Sequence, residues 1–424
     1  MSTKLKVTDF SCIAHAEIEL GSLTVLIGPS GSGKSILSKL VFFFNNLLAD
    51  QFLTIEDKKD LDSFKEQVKE RFKDWFPVEA WGSEKFCIEF EAGSFQVRLT
   101  RIEYRKKLGE NMRVWFSPYF EEQYTAAVVS LRGVDVDLDI VDAHSMDPFW
   151  RVRMSVSESN QRNLGSDFHQ LQTFIPAGRS FFTSIGKSIA AFEHGRVLDP
   201  LIVRFGRYYA ALRENRAGSR RASLQKTGEW ADKLHALLEG RIVTERSKEY
   251  LHAADGRKIP ISALSSGQQE LMPLVLALEN RASEMTMKRY RQLIFIEEPE
   301  AHLFPTSQSA LVGLLAALLT LSHGRTKLFV TTHSPYVLAK LNNLIKAKQI
   351  AGRRGTKKYQ NISSIIDERS WIDGSEVRAY GIHNGEVYRI QDSSDHMIDA
   401  EYLDGVSGEI SSEFSMLLDA EYGS

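Results

Sequence analysis

Two stretches near the start of the chain alternate apolar and polar residues, Leu5 to Phe10 and Ala14 to Leu20, the second placing Ile18 and Leu20 on one face. A period of two marks strands with one buried face. Leu23-Thr24-Val25-Leu26-Ile27 is instead a short continuous apolar run, as in a strand covered on both faces of a mostly parallel sheet. From Lys34 the period lengthens and predicts a helix to about Asn46; the charged stretch from Phe52 to Phe76 is also helical in period. Alternation returns at Phe86, Ile88 and Phe90 and at Phe95, Val97 and Leu99, and further strands are expected over 111–116 and 126–131.

Ser180 to about Tyr250 reads as helical, with a loop from Arg213 to Gln225 around Gly218. Helices are expected over 263–280 and 306–321, buried strands over 292–296 and 327–331, a basic loop over 351–358, short strands over 377–382 and 387–390, and an acidic helical tail. There is no internal repeat. The pattern predicts an α/β fold with a mixed sheet, an antiparallel β subdomain and an inserted helical subdomain. We divide it into an N-terminal lobe (1–180), a helical insertion (181–255), a lobe from 256 to 345, and a C-terminal extension (346–424).

Composition narrows this little. Of 424 residues 43% are hydrophobic and 25% charged, ordinary globular usage. With 53 Lys and Arg against 55 Asp and Glu, any nucleic-acid contact needs a local basic patch. Two cysteines, Cys12 and Cys87, exclude a disulfide scaffold and a cysteine zinc cluster and fit a reducing compartment. The longest apolar run, Ala310 to Leu321, is short of the about 20 residues a spanning helix needs. The expected location is cytoplasmic, with no membrane segment.

The chemistry concentrates in three places. Gly28-Pro29-Ser30-Gly31-Ser32-Gly33-Lys34-Ser35 fits the phosphate-loop spacing, between a buried strand and a helix. Its glycines let backbone N–H groups turn toward phosphates, Lys34 reaches the β- and γ-phosphates of ATP, and Ser35 places a hydroxyl on Mg²⁺. The strand ending at Ile296, expected beside the phosphate-loop strand, releases Glu297-Glu298 at its C-terminal end, where ligands sit in open α/β sheets. We assign Glu297 to the metal and Glu298 to the attacking water. His302, with no partner at helical spacing, is read as a turn residue near a subunit contact. Ser265-Ser266-Gly267-Gln268 opens a helix, with Ser265 a good N-cap and the helix end an anion site.

In this order the sequence resembles the ATP-binding-cassette ATPases, and within them the branch of structural-maintenance-of-chromosomes, RecF and OLD-type ATPases. The motifs are the phosphate loop, a signature from Leu264 to Gln268, the acidic strand Leu293 to Glu298, and His333 in Val330-Thr331-Thr332-His333-Ser334, where that family senses the γ-phosphate. Ser30 stands where the family usually has Asn, and Ser266 where transporters have Gly. Gln123, Gln170 and Gln172 are candidates for its metal-sensing glutamine. The stretch Thr173 to Ser180 resembles an OLD-like motif, in which Arg179 contacts nucleotide, a partner, or an ion-pair partner.

The resemblance implies that ATP is sandwiched between the phosphate loop of one subunit and the signature of another, hence a homo-oligomer. The roughly 230 residues between Ser35 and Leu264 exceed a transporter cassette. The segment after His333 lacks the acidic set of a Toprim nuclease; Asp392-Ser393-Ser394-Asp395 has the wrong spacing. The expectation is therefore the ATPase subunit of a two-gene anti-phage or toxin-control system, resembling PARIS or Septu, with a separately encoded effector such as a nuclease. The alternative is a DNA-binding repair ATPase, using Arg204, Arg207, Arg213, Arg216, Arg220 and Arg221 with Tyr208 and Tyr209.

Overall fold

The chain begins with β1 (Lys4–Phe10), β2 (Ile13–Glu19) and β3 (Leu23–Ile27), then α1 (Lys34–Glu56) and α2 (Leu61–Trp75). The computed structural model describes residues 2–105, 107–133, 147–185, 198–218, 224–245, 248–287, 290–399 and 412–417. Every residue of β3 is buried, as its unbroken apolar run predicts. α1 continues past Asn46 because Phe42, Phe43, Phe44, Leu47 and Leu48 are all buried. A helix that is apolar on most sides belongs inside; α1 is held between the sheet on one side and α2 on the other.

β4 (Cys87–Ala92), β5 (Phe95–Tyr104) and β6 (Lys107–Phe116) follow, then α3 (Pro118–Arg132), α4 (Pro148–Leu164), β7 (Leu171–Ile175) and α5 (Ser180–Ile185). The strand expected over 126–131 is the end of α3. Phe120, Tyr124, Ala127, Val128 and Leu131 form its buried stripe at helical spacing, while Val129 is 61% exposed. α6 (Pro200–Gly218) and α7 (Leu224–Ala236) precede β8 (Gly240–Glu245), β9 (Lys248–Ala253) and β10 (Lys258–Pro260). Two expectations fail here. Arg213 to Gly218 are helical where a loop was expected, with 219–223 outside the described residues. β8 and β9 pair antiparallel, because Ile242-Val243-Thr244 and Tyr250-Leu251 suit a pleated surface better than a helix.

α8 (Ser266–Met287), β11 (Gln292–Glu297), α9 (Pro305–Ser322), β12 (Thr326–Thr332), α10 (Pro335–Ile350), α11 (Lys357–Ile365), β13 (Val377–His383) and β14 (Glu386–Arg389) complete the described strands and α-helices, apart from short 3-10 turns and a helical turn over 412–417. Most of the expected acidic tail lies outside the described residues. By length and composition α1 and α9 could cross a membrane, but both are core helices of this fold, α9 packed against α10 and β12.

One sheet of 11 strands runs β6-β5-β4-β1-β2-β14-β13-β3-β12-β11-β7. β13, β3, β12, β11 and β7 are mutually parallel, and β6 to β2 form an antiparallel wing. The acidic strand β11 is not beside β3 as expected: β12 lies between them and pairs with both. The strand carrying His333 thus occupies the slot between phosphate loop and carboxylates. The fold is an α/β P-loop ATPase core.

Candidate active site

The C-terminal ends of β3, β12 and β11 release the phosphate loop, His333 and Glu297-Glu298 at one edge of the sheet. Parallel pairing is what brings them together, since it aligns all three C-terminal ends. Gly33 has φ 102°, and a Cβ there would fall 2.4 Å from Ile13 Cδ1, so only glycine fits. Gly28 is pressed on the other side against the Ile382 carbonyl, 2.9 Å from where its Cβ would be. Gly33 is also the N-cap of α1 and offers no side chain to its first-turn N–H groups. Those donors are left for an anion, which the helix end favours.

Lys34 is buried, and its Nζ donates to the Gly28 and Pro29 carbonyls, both at 2.8 Å. Burial lowers its pKa below the ordinary lysine value, opposed by the charges of Glu298, Glu300 and Glu297. His333 Nδ1 lies 3.4 Å from Lys34 Nζ, and its Nε2 lies 3.0 Å from Glu298 Oε1. An ammonium can only donate, so Nδ1 accepts and Nε2 carries the proton given to Glu298. These three side chains line one open cavity of about 230 Å³ with Ser30 to Ser35. Ser32 Oγ is buried there without a protein partner.

Glu298 has φ 43°, a left-handed conformation rare outside glycine. Its N–H donates to the Thr331 carbonyl at 2.9 Å, tying the turn to β12. Glu297 is buried under the first turn of α1, where Ser38 Oγ donates to Oε1 at 3.4 Å and the Ala177 N–H to Oε2 at 3.3 Å. Both bonds are long, which leaves the carboxylate acceptor capacity. The described residues hold no cluster of three or more His, Cys, Asp or Glu suited to a metal. Mg²⁺ needs none, because it takes one or two carboxylates with phosphate oxygens and water. The hard oxygens of Glu297 and the exposed Ser35 fit that donor set.

The signature forms a second helix end. Ser265 Oγ accepts from the Gln268 N–H at 3.3 Å, and Gln268 Oε1 accepts from the Ser265 N–H at 3.2 Å. This reciprocal cap satisfies two donors of α8. Ser265 and Ser266 are exposed, and neither lines the cavity of Lys34. Gly267 packs on the His302 carbonyl, 2.9 Å from where a Cβ would sit. His302 is an exposed turn residue with φ 60°.

A family model described as "AAA domain, putative AbiEii toxin, Type IV TA system" matches residues 23–339, from β3 into α10. The chain belongs to this family. AAA ATPases bind ATP with Mg²⁺, and at family level this protein is a P-loop ATPase. Similar solved structures include the SMC head domain from Thermotoga maritima, at 14% identity over 92% of this chain and 98% of that one, with a TM-score of 0.36. Another is the Smc head domain with an extended coiled coil bound to the C-terminal domain of ScpA, derived from Pyrococcus furiosus, at 14% identity over 97% and 99%, with a TM-score of 0.35. No curated protein matches the chain.

Other sequence candidates lie elsewhere. Gln170 and Gln172 are at the N-terminal end of β7, the far end from the site, and Gln123 donates to Tyr119 on α3. Among the described residues, two arginines of the α6 stretch are engaged within the chain. Arg204 stacks over Phe42, 5.0 Å from its centroid, and donates to Asn46. Arg213 pairs with Glu249, and Tyr209 is 1% exposed. The Arg216 side chain, Arg220 and Arg221 lie outside the described residues. Two buried groups were missed by sequence reasoning. Glu300 accepts from the His333 N–H at 2.9 Å and from the Thr332 hydroxyl; the signal was three glutamates in four residues after an apolar strand. Glu270 is the ion-pair partner of Arg179, and only tertiary structure joins them.

Proposed function

We propose that the chain is an ATP-hydrolysing switch that works as a homo-oligomer of at least two copies. Lys34 and His333 hold the γ-phosphate, and Glu298 polarises the attacking water. Glu297 and Ser35 hold Mg²⁺, which when bound neutralises charge on the β- and γ-phosphates. The signature, Ser265 to Gln268, whose first two residues are exposed, completes the site of a neighbouring copy, so bound ATP joins two subunits and hydrolysis releases them. The observation that carries this reading is the convergence of Lys34, His333 and Glu298 on one cavity beside an uncapped helix end.

The output we propose is control of a separately encoded effector protein, such as a nuclease, in anti-phage defence or toxin control. The family description, which names a toxin of a Type IV system, supports that direction. A DNA-repair role has less support, because Arg204 and Arg213 are each engaged by a partner within the chain, Asn46 and Glu249. The test is Glu298→Gln. It should bind ATP, hydrolyse it about 100-fold or more slowly, and remain associated in ATP. Expressed with its neighbouring genes and purified, it should bring down a second protein in stoichiometric amount. Normal turnover removes the role of Glu298, and recovery of DNA with no protein favours the repair reading.

A further inference from the structure

Arg179 is the most enclosed charge near the site: its side chain is 0% exposed and that of Glu270 1%. Keeping such a pair from water carries a desolvation cost, so its bonds indicate what it is kept for. Arg179 Nη1 donates to the Glu297 carbonyl at 2.6 Å and to the Pro176 carbonyl at 3.0 Å. Nη2 donates to the Glu298 carbonyl at 2.9 Å, and Nε to the Glu270 carbonyl at 3.1 Å. The Glu270 carboxylate accepts the N–H groups of Arg179 and Ser180 at 2.8 and 2.9 Å, and lies 3.3 Å from Nη2. One guanidinium therefore touches both peptide carbonyls of the acidic pair, and its carboxylate partner sits in the first turns of the signature helix.

The Glu298 backbone needs such support. Its left-handed φ of 43° is disfavoured for any residue with a side chain. It is held by the Thr331 carbonyl on its N–H, and by the Ala301 N–H and Arg179 on its carbonyl. In that conformation the carboxylate meets His333 Nε2 at 3.0 Å.

We propose that Arg179 is a positioning residue for hydrolysis: with Glu270 it locks the backbone of Glu297 and Glu298 and joins it to the signature helix as one rigid unit. Arg179 touches no reacting atom. It acts through the angle at which Glu298 meets the water. This rests on the assignment of Glu298 made above.

The test uses the full chain with Arg179→Lys and with the double change Arg179→Met, Glu270→Met. Lysine keeps the charge but lacks the planar fork that reaches both carbonyls. The double change removes both charges, and an apolar pair in place of a buried ion pair is often tolerated in folding. Both variants should unfold cooperatively and bind ATP as the parent does, with an unchanged KM. Both should show kcat lowered by about 10- to 100-fold, the effect of a small misplacement of a catalytic group. A folded double variant with parental kcat overturns the proposal, because the clamp would then serve folding alone. Glu298→Gln run beside it separates the two ideas. If it is slow while the double variant is normal, only the role of Arg179 falls; if it turns over normally, both fall.

Discussion

Two helices in this protein begin where the proposed mechanism puts a phosphate, and they begin in opposite ways. α1 starts behind Gly33, which gives its N–H groups no side-chain partner, at the floor of a cavity. α8 starts behind Ser265, whose hydroxyl and backbone exchange bonds with Gln268, on an exposed face. The first end is left open by its own sequence, with Lys34 of the same chain beside it. The second is closed on itself. Its cap holds the Gln268 N–H, and turning that donor to a phosphate would give up a cap worth about 1 kcal/mol, while the Ser266 and Gly267 N–H groups carry no side-chain cap among the described residues. In the proposed mechanism this end meets a nucleotide only when a second protomer presents it.

The strongest way to break this comparison is Lys34→Ala. Losing charged hydrogen bonds worth about 1.5–3 kcal/mol should weaken ATP binding by about 10- to 100-fold, measured by calorimetry. Unchanged affinity would mean that the open end is not the nucleotide site. A mixture sharpens it further. Ser266→Glu, placing a like charge at the closed end, should bind ATP normally yet fail to hydrolyse it. Mixed with Lys34→Ala, it should regain activity, since one intact phosphate loop then faces one intact signature. Two inactive variants that stay inactive when mixed would argue against sites shared between protomers. The smallest effect is expected from Ser265→Ala: about 1 kcal/mol of stability lost at α8, read as a slightly lower Tm, with ATP affinity unmoved. A drop in affinity would show that the two ends are not separate.

Much of the site was legible because phosphate chemistry constrains short, contiguous stretches. Gly28 to Ser35 and Leu293 to Glu298 each carry strand, turn and functional group within a few residues, so spacing alone identifies them. The parallel core was legible for the same reason: Leu23–Ile27 is buried throughout, and β12 has the apolar centre Leu328-Phe329-Val330. What failed was either ambiguous in period or non-local. Ala126 to Leu131 is apolar enough for strand or helix, and the stripe that decides begins outside it, at Phe120. The order of β3, β12 and β11 is a matter of crossover connections, which no local pattern records. Arg204 resembled a phosphate contact in sequence, but Phe42 and Asn46, more than 150 positions away, take it up.

The placement of β13 has a consequence for how the protein is made. β3, the strand that carries the phosphate loop, has β12 on one side and β13 on the other. Its register partners there begin at Val377, so that edge of the third strand stays unpaired until about 350 further residues have been synthesised, while its other edge can pair with β12 earlier. Until then the phosphate-loop strand has an open edge where β13 will pair. Long-range pairing of this kind is slow and leaves edges open to other chains. The emerging N-terminal half is thus the stretch for which a ribosome-associated chaperone would matter most.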